Sequence, residues 1–421
     1  MTSRRHWIGQ ASSLLAVAGF GTRGSHGSVS ELTTTSRELT LASIRDEFPI
    51  AQRRVYLNNA SIHPMSTSTR RVVEAYFEAR NLGTKDDSAS PDVPVDLPRV
   101  KALYAALIGA QASDIAFVPS TTVGENLVVT GLGIPRSGGN IVTDALHYDG
   151  SQYMYQSLKQ RGLDVRVVPA RDGAIHLEDM ERMVDRNTRL VAVSFVSWAN
   201  GFAHDLKKVA DLAHANGALV YVDLIQGVGS RPVNVVAAGV DFAANASYKW
   251  LMGDLGVGFL YARQDLLGRR FQRAQLGFRQ ITNEQTHILP GDPPADSPVT
   301  WTMKSGTGSY FEVGTWGTPV LVALSNSLAF LNDYGVARIH EHNRALALRI
   351  QNELPKHGYM SLTPESSVGS IVSFAVKDRE DTARRLARAK VDVGFQGTRM
   401  RISPSIYNDD RDVDTLLSAL S

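Results

Sequence analysis

The segment Asn245-Ala246-Ser247-Tyr248-Lys249-Trp250-Leu251-Met252-Gly253 constrains this chain most. It sets a lysine between an apolar run, residues 240–244, and a glycine-punctuated strand pattern, residues 256–261. A lysine is strongly hydrated and is rarely enclosed unless it is paired or chemically used. Imine formation with an aldehyde cofactor is one such use, because burial lowers the amine's pKa and makes it nucleophilic. Taken alone, Lys249 reads equally well as a surface lysine at a turn.

Upstream lies Ala218-Leu219-Val220-Tyr221-Val222-Asp223, followed by Leu224-Ile225-Gln226-Gly227. An apolar run ending in an acid has the form of a buried parallel strand whose last residue sits at the carboxyl edge of the sheet, where open α/β sheets place their ligands. An aspartate there can pair with a protonated ring nitrogen, the pairing that makes a pyridoxal ring an electron sink. Gln226 can donate to a phenolic oxygen on the same ring. Without Lys249 downstream, Asp223 would read as an ordinary helix N-cap.

These two motifs, Val222-Asp223-Leu224-Ile225-Gln226-Gly227 and Ser247-Tyr248-Lys249-Trp250, resemble those of the class V aminotransferase family of fold-type I pyridoxal phosphate enzymes. Cysteine desulfurases, selenocysteine lyases and isopenicillin N epimerase-like proteins belong to that group. The resemblance covers roughly residues 50–421. It implies an α/β fold of the fold-type I PLP-dependent transferase kind, with a mainly parallel central sheet and a smaller C-terminal α+β domain, and pyridoxal 5'-phosphate as cofactor. The expected division is 1–40 as signal and linker, 41–315 as the large cofactor-binding domain and 316–421 as the small domain. The residues support the same architecture independently, since strand and helix patterns alternate from 114 to 245 and predict a parallel sheet with right-handed crossovers.

The resemblance also assigns roles. Strand 114–118 runs into Pro119-Ser120-Thr121-Thr122-Val123-Gly124-Glu125-Asn126, hydroxyl residues at a strand-to-helix turn and so a ready anion site. It looks like the family's phosphate loop, which gives Thr121 and Thr122 to the phosphate; plain N-capping is the other reading. After strand 140–144, Tyr148 aligns with the aromatic that stacks on the cofactor ring, with His147 one position away. Trp198 stands where desulfurases tend to carry asparagine. Ser247 and Tyr248, beside the lysine, are expected to reach the phosphate. Phe311-Glu312-Val313-Gly314-Thr315 resembles a motif whose threonine reaches the neighbouring protomer's phosphate, which implies a homodimer with shared active sites. Residues 266–309 read as an irregular excursion toward that partner. In the closing segment, Arg401 resembles the arginine that pairs with the substrate α-carboxylate; Arg399, two residues earlier on a strand, faces the same way and is its rival. Asn59 and Ala60, in Tyr56-Leu57-Asn58-Asn59-Ala60, are expected to line the substrate, or else to form a turn. His63 reads as structural.

A formal net charge of +2 implies no attraction to nucleic acid, and no apolar run reaches the ~18–20 residues of a membrane span. No metal site and no internal repeat are expected, so the partner is a small-molecule or peptide amino-acid substrate. Ser3-Arg4-Arg5 before an aromatic and an aliphatic residue, then residues 11–20, resembles a twin-arginine export signal, which predicts a periplasmic or exported protein; a cytoplasmic one is the alternative.

The resulting expectation is an enzyme working at Cα of an amino acid or peptide-borne amino group through a Lys249 aldimine. After export, a self-regenerating lyase, epimerase or tailoring reaction is favoured over transamination with a keto acid. A cytoplasmic aminotransferase and a non-catalytic ligand-binding relative are the alternatives. The chain has no cysteine, and the desulfurases it resembles carry sulfur on one, so a persulfide-forming cysteine desulfurase is not expected.

Overall fold

The structure, a computed structural model, describes residues 40–81, 95–367 and 369–421. The twin-arginine segment lies outside them. The described residues fall in one compact unit.

The central sheet has seven strands: β1 Ile115–Val118, β2 Asn140–Asp144, β3 Asp164–Val168, β4 Thr188–Ser194, β5 Leu219–Asp223, β6 Phe242–Ala246 and β7 Gly258–Ala262, in the order β1-β7-β6-β5-β4-β2-β3. The pairings from β3 through β6 are parallel, and β7 runs antiparallel to both β6 and β1. This is the mainly parallel sheet that the alternating pattern predicts.

All five residues of β5 are buried. Val220 and Val222 enter one core and Leu219 and Tyr221 the other, as expected for a strand covered by helices on both faces. The central position of β5 puts Asp223 at its carboxyl end, opposite Ser194 of β4 and Ala244 of β6.

A second sheet, β10 Val372–Ala375, β11 Gly394–Gln396 and β12 Arg399–Ile402, is antiparallel in the order β10-β12-β11. It packs on its own apolar cluster, which includes Leu346, Ile350, Phe374, Val413 and Leu416. Met400 and Ile402 enter that cluster, so the period-two alternation turns Arg399 and Arg401 to the opposite face.

Residues 266–309 are more regular than expected. They hold an antiparallel hairpin, β8 Ile281–Thr286 with β9 Val299–Met303. Both strands are largely exposed; β8 carries no apolar alternation, while Val299, Trp301 and Met303 of β9 alternate with threonines over a stretch too short to mark a strand by itself. Among the described residues no single helix is long and apolar enough to cross a membrane.

Candidate active site

Asp223 is buried, and its carboxylate accepts the Ile225 N–H at 2.9 Å. No described residue forms an ion pair with it. Burial raises its pKa to about 6, against the pull of the His147 charge and the Ile225 N–H. Lys249 follows β6 and is also buried. Burial lowers its pKa to about 8; Arg401 pushes the same way, while Asp223 and Asp149 oppose. A lysine held so far below its ordinary range is neutral in about a tenth of its population at pH 7, far more than an ordinary lysine, and only that form is the nucleophile.

A cavity of about 380 Å³ opens beside this lysine, lined in part by Ala60, Ser61, Tyr148, Trp198, Tyr248 and Arg401. Arg401 donates to the Trp198 carbonyl at 2.9 Å and to the Ser61 hydroxyl at 2.6 Å, and its buried Nε has no partner. Burial, then the neighbouring Arg399, lowers its pKa to about 10. Gly394 makes room for it: a Cβ there would lie 3.0 Å from the Asn58 side-chain oxygen and 3.5 Å from Nε of Arg401.

The helix Thr121–Gly131 starts at this end of the sheet. Ser120 caps it by accepting the Val123 N–H at 3.2 Å, and Gly124 lets it lie close, since a Cβ there would come 2.9 Å from that of Ala244. The Thr121 hydroxyl oxygen accepts the Ala246 N–H at 2.9 Å, which pins the helix start to the end of β6. First-turn N–H groups have no intrahelical partner and offer an anion site.

Tyr148 lines the cavity, edge-on to Trp198 at 6.2 Å. His147 lies below it, with Nδ1 2.8 Å from the Ser194 hydroxyl and Nε2 3.0 Å from the Glu125 carboxylate. Of His147 and Tyr148, it is Tyr148 that lines the cavity.

Several expected residues stand elsewhere. Thr122 is exposed and lines a different cavity with Asn126 and Gln275, so the expected pair of phosphate hydroxyls is split. Ser247 donates to the carbonyls of Asp254 and Val257, which commits its proton to closing the loop after the lysine. Asn59 is buried behind the cavity, bonded to the Ser403 carbonyl and the Tyr407 hydroxyl. Gln226 accepts the Trp250 indole N–H and donates to the Ala60 carbonyl, both at 2.9 Å, so its amide braces the site. Thr315 is exposed and is not among the residues lining the cavity of its own chain. His63 contacts the Pro64 carbonyl and the Ser405 hydroxyl, and burial lowers its pKa to about 4, a structural placement. Sequence reasoning overlooked Ser61, which holds Arg401, and Asp149 at the cavity; a serine and an aspartate near strand ends carry no signal of their own.

The residues present fit a pyridoxal phosphate. A buried acid without a cation, a lysine of lowered pKa, the open first turn of an 11-residue helix and an arginine with a free buried Nε meet its ring nitrogen, its aldehyde, its phosphate and a substrate carboxylate. Fold and site together define a fold-type I pyridoxal phosphate enzyme.

The model of the aminotransferase class-V family matches residues 70–416. The chain belongs to that family, and pyridoxal phosphate is its cofactor. A probable cysteine desulfurase of Methanothermobacter thermautotrophicus is 29% identical over 354 residues, 82% of this chain and 84% of that protein. Among solved structures, the cysteine desulfurase CsdA of Escherichia coli superposes with a TM-score of 0.78 at 22% identity, over 90% of this chain and 97% of that one. A cystine C–S lyase, C-DES, in complex with its reaction product cysteine persulfide, gives 0.76 at 21%, over 89% and 98%.

These findings correct the expectation that this chain is not a persulfide-forming cysteine desulfurase, because relatives and structural neighbours bear that name. The absence of cysteine excludes less than a desulfurase activity as a whole. A chain without a thiol cannot store sulfur on itself, but that does not decide whether the Cβ–S bond breaks. Cysteine persulfide is itself a small molecule, and in the C–S lyase complex it is described as the reaction product.

Proposed function

We propose that this enzyme cleaves the Cβ–S bond of a cysteine-class amino acid, cystine included, with the sulfur leaving on a small molecule. The observation that carries the reading is the single cavity in which Lys249, its pKa lowered to about 8 by burial, meets Arg401, an arginine without a carboxylate partner. When bound, the cofactor takes up the electron pair left at Cα as its proton is removed.

This chain's residues supply the rest. Arg401 binds and orients the α-carboxylate, and Ser61 and the Trp198 carbonyl fix its guanidinium. Lys249 would hold the cofactor through its aldehyde and, as the free amine, would take the Cα proton. Asp223 offers a buried negative charge to the ring nitrogen. Tyr148 and Trp198 wall the cavity. With cystine, the sulfur leaves Cβ with the bonding pair, and cystine plus water gives cysteine persulfide, pyruvate and ammonia.

The exposed β8–β9 hairpin and the exposed Leu276, Phe278, Leu289 and Trp301 nearby support a homodimer in which Thr315 serves the neighbouring phosphate. Export rests on the twin-arginine residues alone, and fractionation of expressing cells with a periplasmic marker tests it.

The test of the reaction is product analysis with cystine. Pyruvate and persulfide in equal amounts, both absent with Lys249→Ala, are expected. Turnover that requires a keto acid and leaves the pyridoxamine form would overturn the proposal in favour of transamination.

A further inference from the structure

The cavity beside Lys249 carries a second arginine that the reaction above does not use. Arg399 and Arg401 sit two residues apart on β12 and both line that cavity. Their Cα atoms are therefore roughly 6–7 Å apart along the strand. Two guanidiniums on one face repel each other, and Arg399 adds to burial in lowering the pKa of Arg401.

Neither forms an ion pair with a described residue. Arg401 meets a carbonyl and a hydroxyl. Arg399 stands 4.9 Å from the centre of the Trp198 ring and donates to the Gln396 side-chain oxygen, both uncharged partners. Elsewhere in the fold, Arg45 and Arg263 reach Asp412 and Asp241 at 2.7 Å. One guanidinium takes one carboxylate in its planar fork. With Arg401 occupied by the α-carboxylate, Arg399 remains for a second anion further along the substrate.

Asp149 lines the same cavity and is likewise without an ion pair among the described residues; its carboxylate accepts the Gly150 N–H. Its field is felt by both Lys249 and Arg399. Beside Lys249 and Arg401 the cavity thus offers one cation and one anion, neither in an ion pair among the described residues, complementary to a zwitterion.

We propose that Arg399 and Asp149 form a second subsite that takes the distal amino-acid head of a substrate with two such heads, a disulfide or thioether of two amino acids. Arg399 receives the distal carboxylate and Asp149 the distal ammonium. This deepens the C–S cleavage reading and rests on it for the identity of the bond broken.

Three disulfides that share the bond to be cleaved test it. Cystine keeps both distal charges, the mixed disulfide of cysteine with 3-mercaptopropionate keeps only the distal carboxylate, and that with mercaptoethanol keeps neither. In the parent enzyme kcat/KM should fall in that order, by at least tenfold between cystine and the mercaptoethanol disulfide and chiefly through KM. Arg399→Gln should shrink that ratio at least tenfold and Arg399→Lys should restore part of it. Asp149→Asn should narrow the gap between cystine and the mercaptopropionate disulfide. Equal kcat/KM for all three in the parent, or the same loss on all three in Arg399→Gln, would overturn the subsite.

A binding measurement separates the two proposals. Calorimetry of the purified holoenzyme with glutarate and butyrate should show the dicarboxylate bound at least tenfold more tightly, and Arg399→Gln should remove the difference. If glutarate is preferred but no disulfide is cleaved, the reaction reading falls and the subsite stands. If the disulfides are cleaved but glutarate holds no advantage, the subsite falls and the reaction stands.

Discussion

The indole N–H of Trp250 donates to the side-chain oxygen of Gln226 at 2.9 Å. That bond joins the residue after the lysine to the loop after the acid, and the same carboxamide reaches on to the Ala60 carbonyl. All three groups are buried, so the brace has no water to replace it. Trp250→Phe leaves a buried carboxamide oxygen unpaired, which costs about 1–3 kcal/mol. Denaturant unfolding of the variant should show a loss of at least that size, because the smaller ring also leaves a void.

Arg401→Lys keeps a positive charge and loses the planar fork. The α-carboxylate would then be held by a point charge, and Trp198 and Ser61 would lose their bonds to the guanidinium. Removing one partner of a charged, desolvated pair costs about 2–5 kcal/mol. Steady-state kinetics should show KM for every α-amino acid substrate raised by one to three orders of magnitude. An unchanged KM would remove Arg401 from the substrate.

Asp223 sets function against stability. Its folded pKa, about 6, lies above the ordinary 3.8, so its contribution to stability is fully present below about pH 3.8 and is lost as pH rises through about 6. At pH 7 the buried, ionised carboxylate is a burden on the cofactor-free protein. Asp223→Asn removes that charge while keeping an acceptor for the Ile225 N–H. The cofactor-free variant should therefore be more stable than the parent at pH 7, by on the order of 1–3 kcal/mol, while its cofactor affinity and turnover fall. Unfolding midpoints of the cofactor-free proteins at pH 7 check the first part, and equal midpoints would remove the strain from the argument.

Lys249 gives a rate that depends on pH. Only the neutral amine attacks an aldehyde, and burial brings its pKa from 10.5 to about 8. Capture of pyridoxal phosphate by the cofactor-free protein should accelerate as pH rises and level off above a midpoint near 8, followed by absorbance. A midpoint above 10 would place the lysine in water. Lys249→Ala should show no capture that borohydride makes permanent.

Much of the architecture was legible because long buried strands write themselves plainly. The apolar runs of β4, β5 and β6 alternate between two cores, and a charged residue at the end of such a run stands out. Asp223 and Lys249 were found this way, whereas Arg401 came from the resemblance of the closing segment to the family's, and Arg399 from strand parity with it. What a short polar side chain does in a loop was not legible. Thr121 and Thr122 are adjacent and chemically alike, yet one is pinned to Ala246 and the other faces a different cavity. Ser247 and Asn59 have backbone acceptors that only the fold brings near. The β8–β9 hairpin buries neither face, so β8 leaves no periodic trace, and the alternation of Val299, Trp301 and Met303 in β9 is too short to mark a strand by itself.

A last prediction concerns the pair beneath the site. Glu125 accepts from Tyr155 at 2.6 Å and from Ser151, and lies 3.0 Å from Nε2 of His147. Burial would raise the Glu125 carboxyl, but His147 and these hydrogen bonds outweigh it and hold its pKa below 4.5. Burial would likewise lower His147, yet the Glu125 charge outweighs it and raises it above 6.5. A carboxylate with a depressed folded pKa contributes stability that is present above its unfolded value and lost as pH falls through the folded one. A histidine with a raised folded pKa contributes stability that is present below its unfolded value and lost as pH rises through the folded one. The pair is at full strength only between about pH 4.5 and 6.5. Glu125→Gln leaves a buried imidazolium without its counter-charge and should cost about 3–5 kcal/mol in that window. The cost should shrink as pH rises and His147 sheds its proton, which unfolding of parent and variant at pH 6 and pH 9 will measure. A pH-independent difference would mean that His147 stays neutral and that the contact is only a hydrogen bond.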